Sequence, residues 1–184
     1  MSEKWNSNVQ FPTDSNFVNR ITEASFGPSN SSGNPMITWK AEVVSPADVE
    51  IGDKTYNIAG VKTTNYLVTE VKDGEEIDAF KTEACRERVS EFWKKLGLDP
   101  QSINWDNIDV KPLVNLKIYT QMEPEINERH KNPTAAQLAE GKAKGLKKIE
   151  GDIMKNPLTG KPIIQYFPKI REVFGIVPDG SVSY

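Results

Sequence analysis

The chain has 184 residues, 23 Lys/Arg against 26 Asp/Glu, and a formal net charge of −3, which is enough chain for one domain with a sizeable core. It contains no run of about 18 apolar residues that would cross a membrane as a helix, and the polar start Met1-Ser2-Glu3-Lys4-Trp5-Asn6 has no apolar stretch behind it, so no secretory leader is expected. One cysteine (Cys85) and one histidine (His130) exclude an internal disulfide and a His/Cys metal cluster; no cofactor is expected, and a reducing cytoplasm is the expected compartment.

Residues 1–15 are polar and aperiodic and read as a flexible arm. A strand is expected over 17–26, then a Gly/Ser/Asn/Pro loop over 27–35. Residues 36–44 alternate as a strand, with Ile37, Trp39, Ala41 and Val43 on one face and Thr38 and Lys40 on the other. Residues 55–71 form the next strand region, broken near Gly60. Asp73-Gly74 makes a turn. A helix follows over about 78–96, where Cys85, Val89, Phe92 and Leu96 share one face and Gly97 suits a left-handed cap. Residues 113–122 alternate as a strand, with Val114, Leu116 and Ile118 opposite Asn115, Lys117 and Tyr119. A helix is expected over 133–149, with Asn132 as N-cap and Pro133 at its first position, weakened by Gly141 and Gly145. A last strand runs over 163–174, and residues 178–184 form a C-terminal tail.

Charge is unevenly spread. From Arg129 to Arg171 there are ten basic and three acidic residues, leaving −10 for the rest, so a basic surface is compatible with an acidic chain. Five strands with a helix between the third and fourth match an OB-like Greek-key barrel. The expected fold is therefore mostly β with helical additions. It is one OB-like domain over 16–177, with a long basic helical excursion (123–162) between strands four and five. Long connections of this kind are usually functional or disordered.

No vocabulary for catalysis stands out. There is no Gly-x-Ser-x-Gly elbow, phosphate-binding Gly-rich loop or dinucleotide fingerprint. Asp73, Glu75, Glu76 and Asp78 read as a solvated bend, and Cys85 as an inert thiol on an apolar helical stripe. The chain is not expected to be an enzyme.

Aromatics beside cations point elsewhere. Face parity puts Tyr66 with Lys62 and Thr64, Tyr119 with Lys117 and Gln121, and Phe167 with Gln165, Lys169 and Arg171. Such rings are the stacking platforms that single strands need. Phosphate contacts are expected from Arg20, Lys40, Lys62, Lys117, Lys169, Arg171 and the excursion residues Lys142, Lys144, Lys147 and Lys148. Trp39, Phe92 and Trp93 are expected in the core.

The stretch Ser32-Gly33-Asn34-Pro35-Met36 runs into a strand bearing Trp39. It follows a first strand and precedes Asn65-Tyr66 and a helix ending Leu96-Gly97. Over residues 17–122 this resembles single-stranded DNA-binding proteins from the replication and recombination modules of tailed phages. The resemblance implies an OB-like core, binding of single-stranded DNA without strong sequence preference, and a place in the host-cell cytoplasm. Replication or recombination proteins are then candidate partners. Many members end in an acidic partner-recruiting tail; residues 177–184 do not have that character. Two alternatives stay open: a protein-interaction module of host-takeover or anti-defence type, and a metal-dependent nuclease using scattered carboxylates.

Overall fold

The computed structural model describes residues 1–178. Of the expected C-terminal tail, 179–184 lie outside the described residues. The strands are β1 (Glu3–Lys4), β2 (Asp14–Pro28), β3 (Pro35–Ser45), β4 (Asp48–Ile51), β5 (Lys54–Asn57), β6 (Lys62–Val68), β7 (Lys72–Asp73), β8 (Glu76–Ile77), β9 (Lys117–Glu128) and β10 (Ile164–Ile176). The helices are α1 (Ala79–Lys95) and α2 (Ala135–Ala143). The described chain divides into two compact units, 1–5 with 12–123 and 168–178, and 6–11 with 124–167. What reads in sequence as an excursion of one domain is thus a compact unit with a piece of the N-terminal segment.

The main sheet has the order β10-β9-β2-β3-β6 and is open. The chain is mostly β, but no sheet closes into the expected barrel. A second sheet, β1-β5-β4, and the β7-β8 hairpin accompany it. The N-terminal segment is not a loose arm. Glu3 and Lys4 pair in parallel with Tyr56 and Asn57, and Phe11 is fully buried. Trp5 N–H donates to the Asn57 carbonyl. Backbone pairing and one buried ring outweigh the polar composition that suggested disorder.

In the first unit, alternation in β3 works as the pattern demands. Ile37, Trp39, Ala41 and Val43 are buried, and so are Phe17, Asn19 and Ile21 on β2 and Ile118, Thr120 and Met122 on β9. α1 supplies Val89, Phe92 and Trp93, and Trp39 stacks on Phe92 with ring centroids 5.2 Å apart. Asp78 caps α1 by accepting from Lys81 N–H, and Gly97 follows it at φ +71. Asn19 is fully buried; its amide donates to Thr120 Oγ at 2.6 Å, while its carbonyl oxygen has no partner.

Strand β9 starts later than its alternation predicts and runs further. Lys111–Leu113 form a 3₁₀ turn, and Asn115 sits at φ +70, a conformation that asparagine tolerates better than branched residues. The Ile21 and Leu116 main chains still bond at 2.9 Å, so the turn is stitched to β2.

In the second unit, α2 is shorter than the 133–149 expectation. Its N-cap is Thr134, not Asn132: Thr134 accepts from Gln137 N–H, and the Gln137 side chain accepts from Thr134 N–H. Gly145 at φ +67 ends it. A Cβ on Gly141 would stand 2.6 Å from Ile149, so glycine there permits the following segment to close onto the helix. Three segments interlock: Arg129 N–H donates to Ile163, Met154 N–H to Arg129, and Ile163 N–H to Met154 (2.9, 2.7 and 2.8 Å).

Two stability outcomes follow. Trp39→Ala removes a buried stacked ring and should cost about 3–5 kcal/mol in chemical denaturation. At Gly151 a Cβ would meet the Lys131 carbonyl oxygen at 2.3 Å. Gly151→Ala should therefore lower stability by about 1–3 kcal/mol, since backbone has to move.

Candidate functional site

Strand register decides which predicted residues share a wall. Lys62 stands opposite Glu42, Thr64 opposite Lys40 and Tyr66 opposite Thr38. Glu42 stands opposite Arg20 and Lys40 opposite Glu23, across a bulge between Ile21 and Glu23 in β2. Arg20 stands opposite Lys117 and Val18 opposite Tyr119. Directly paired residues point to the same side, so Arg20, Lys40, Lys62, Tyr66, Lys117 and Tyr119 all lie on the face away from Trp39. Both rings are exposed, Tyr66 by 60% and Tyr119 by 39%.

The rings occupy opposite corners of that face. Tyr66 lies in the row of Thr38, and Tyr119 in the row of Ser45. Seven residues at ~3.4 Å and three strands at ~4.8 Å put them about 24 Å apart along the strands and about 14 Å across. Two of the cations between them are matched by acids: Arg20 pairs with Glu42, and Lys40 with Glu23 at 2.8 Å. On β10, Arg171 pairs with Glu123 at 3.4 Å, and Lys169 is exposed. The wall exists, but much of its charge is already paired.

The loop preceding this face is ordered by its serines. Ser29 N–H donates to the Asn34 carbonyl, and Ser29 Oγ accepts from Ser31 and Ser32 N–H. The 27–35 stretch, expected as a loop, is a hydrogen-bonded turn.

The second unit holds a groove of about 360 Å³. Ile126, Asn127, Glu128 and His130 form one side, Lys148 and Glu150 come from the segment after α2, and Gln165 and Phe167 from β10. Phe167 is 42% exposed and Ile126 59%. Period-2 alternation puts Gln165 and Phe167 on one side of their strand. The volume lies at the small end of ligand sites, suited to one nucleotide-sized group. Of the predicted residues, Phe167 and Lys148 meet here. Lys142 is exposed in the last turn of α2, Lys144 is bound to Glu140 at 2.5 Å, and Lys147 is exposed.

His130 and Glu150 were not foreseen as site residues. His130 Nδ1 lies 2.8 Å from the Gly151 carbonyl oxygen, which can only accept, so Nδ1 carries a proton. Nε2 faces Glu150 Oε2 at 3.5 Å, and the other oxygen of Glu150 holds Lys148. The signal available in sequence was only the Arg129-His130-Lys131 run and a lone acid after Lys147-Lys148.

A second groove of about 700 Å³ runs along α1 in the first unit, lined by Ile77, Thr82, Arg86, Ser90 and Lys94 among others. The Arg86 guanidinium lies 5.1 Å from the centre of the Trp105 ring and 3.7 Å from Glu70. Among the described residues, no three His, Cys, Asp or Glu side chains gather as a metal site, and no helix is long and apolar enough to cross a membrane. No protein-family model matches the chain, and no curated protein and no solved structure matches it.

Three carboxyls are held below their ordinary range: Glu23 by its hydrogen bond and charge contact with Lys40, Asp78 by the backbone N–H and side chain of Lys81, and Glu150 chiefly by Lys148 and also by the charge of His130. A depressed folded-state pKa contributes stability above the unfolded value of about 4 and loses it as pH falls through the lowered value. The urea midpoint should therefore decline between pH 5 and pH 2, and Glu23→Gln with Glu150→Gln should flatten part of that decline.

Proposed function

We propose that the protein binds single-stranded DNA without strong sequence preference, by stacking and phosphate neutralisation, and that its activity is binding, not turnover. The observation that carries this is the groove of the second unit. There a half-exposed ring (Phe167), the amides of Asn127 and Gln165, and the ammonium group of Lys148 line a space of nucleotide size. A ring takes a base face, amides meet base edges, and an ammonium group takes a phosphate.

Two further points support the reading. The sheet order, with the third, second, first, fourth and fifth long strands as neighbours, agrees with the strand order of an OB-fold, a barrel that is itself partly open. The exposed wall with Tyr66, Tyr119, Lys62 and Lys117 offers a second surface for the strand. The resemblance to tailed-phage single-stranded DNA-binding proteins agrees, and a role in replication or recombination goes with it.

A protein partner is the second reading. It is favoured by Phe80, 84% exposed, and Ile77, 55% exposed, beside the acidic hairpin that carries Asp73, Glu75 and Glu76. Large exposed apolar patches rimmed by polar residues mark contact sites, and these two side chains would form the centre of such a patch.

Titration of a labelled oligo-dT by anisotropy tests the leading reading. Affinity should fall with salt, with a log–log slope of about −0.7 per phosphate neutralised. Phe167→Ala should cost about 1–3 kcal/mol, the worth of one stacked base. Lys148→Ala should reduce the slope by about 0.7. Arg20→Ala and Lys40→Ala, which do not line the groove, should change affinity by less than about threefold. A salt-independent isotherm, or none, ends the proposal.

A further inference from the structure

We infer that His130 and Lys148 form a phosphodiester subsite of the groove and that Glu150 is the built-in carboxylate a phosphate has to displace. This rests on the single-strand reading above and adds how that site is regulated.

Glu150 spans two nitrogens, with one oxygen on Lys148 Nζ and the other facing His130 Nε2 at 3.5 Å; because Nδ1 already carries a proton, Nε2 donates to Glu150 or to a phosphate in the doubly protonated imidazolium form. A phosphodiester presents the same pattern: one negative charge shared by two oxygens able to accept from two nitrogens at once. The imidazole is not free to turn away. Its Nδ1–H is spent on the Gly151 carbonyl, which leaves Nε2 as the atom that faces the groove. Gly151 is itself buried, in contact with the Lys131 and Asn132 carbonyl groups, where no Cβ fits. The imidazole is therefore held against an anchored piece of backbone. Glu150 and Lys148 stand at the surface, with side chains 41% and 83% exposed, so both can swing without exposing core. Glu128 also lines the groove and adds a second carboxylate to it.

Exchange of Glu150 for a phosphate keeps the charge count at the donors unchanged, so it weakens the net gain from each phosphate bound. Removing the carboxylate charge exposes the full attraction. Glu150→Gln should tighten binding of oligo-dT at low salt by about tenfold and steepen its salt dependence. Lys148→Gln breaks the same ion pair from the other side and should weaken binding. A purely structural role for the pair would make both variants bind less, so opposite signs identify the displaced carboxylate.

His130 is the only histidine of the chain, and its imidazole NMR signals report the subsite directly. They should move when oligo-dT is added to the native chain, and at lower DNA concentration in Glu150→Gln. Imidazole signals that stay still while anisotropy shows binding overturn this inference and leave the single-strand reading standing. Equal affinities of the native chain and Glu150→Gln do the same. Absence of binding by every variant overturns both.

Discussion

The first unit depends on burial of one face of the five-stranded sheet, and the contact at the centre of that burial is the stack of Trp39 on Phe92. It joins the middle of a sheet strand to the last turns of α1, and Val89 and Trp93 continue the same apolar surface. Once this face is sealed, strand geometry leaves no freedom on the other. Alternate residues of β3, β6 and β9 have to face outward, as do those of β2 between its bulges, because a one-residue slip would expose Trp39 and Ile37. The position of Lys40, Lys62, Tyr66 and Tyr119 on one wall is thus a by-product of where the hydrophobic residues go.

That wall is less available to a ligand than its residue types imply. Cross-strand register puts Glu42 and Glu23 directly against Arg20 and Lys40, and exposed ion pairs of this kind contribute little to stability yet occupy the cations. The two tyrosines are separated by most of the sheet. The second unit differs because its groups converge. The interlocked segments around Arg129, Met154 and Ile163 gather residues far apart in sequence about a space of roughly nucleotide size, and only one acid, Glu150, stands on its principal cation.

The sequence was most legible where periodicity was strong. The alternation of 36–44, the apolar stripe of α1 with Gly97 behind it, and the core placement of Trp39, Phe92 and Trp93 were all readable, because burial and helix capping act locally or through a fixed period. It was least legible where long-range pairing prevailed. Residues 1–15 have the composition of an arm, but β1 pairs with β5 and Phe11 is buried. Residues 133–149 have the composition of one weak helix, but the Thr134–Gln137 box starts α2 later and Gly145 ends it early. In the candidate site, Phe167 and Lys148 were readable as a ring and a cation. His130, Glu150 and Asn127 were not, since nothing local marks a side chain that gains meaning only beside another segment.

By itself, the sequence determined a mostly β chain, an apolar stripe on the helix before Gly97, and a basic stretch carried within an acidic whole. These are properties of residue type and spacing, which the backbone period converts directly into buried and exposed faces. Only the tertiary structure decided that the main sheet stays open, that the basic stretch becomes a compact unit, which cations are answered by acids, and that one ring, two amides and one ammonium group share a groove. Those outcomes depend on register and on contacts between segments distant along the chain, and no local pattern encodes them.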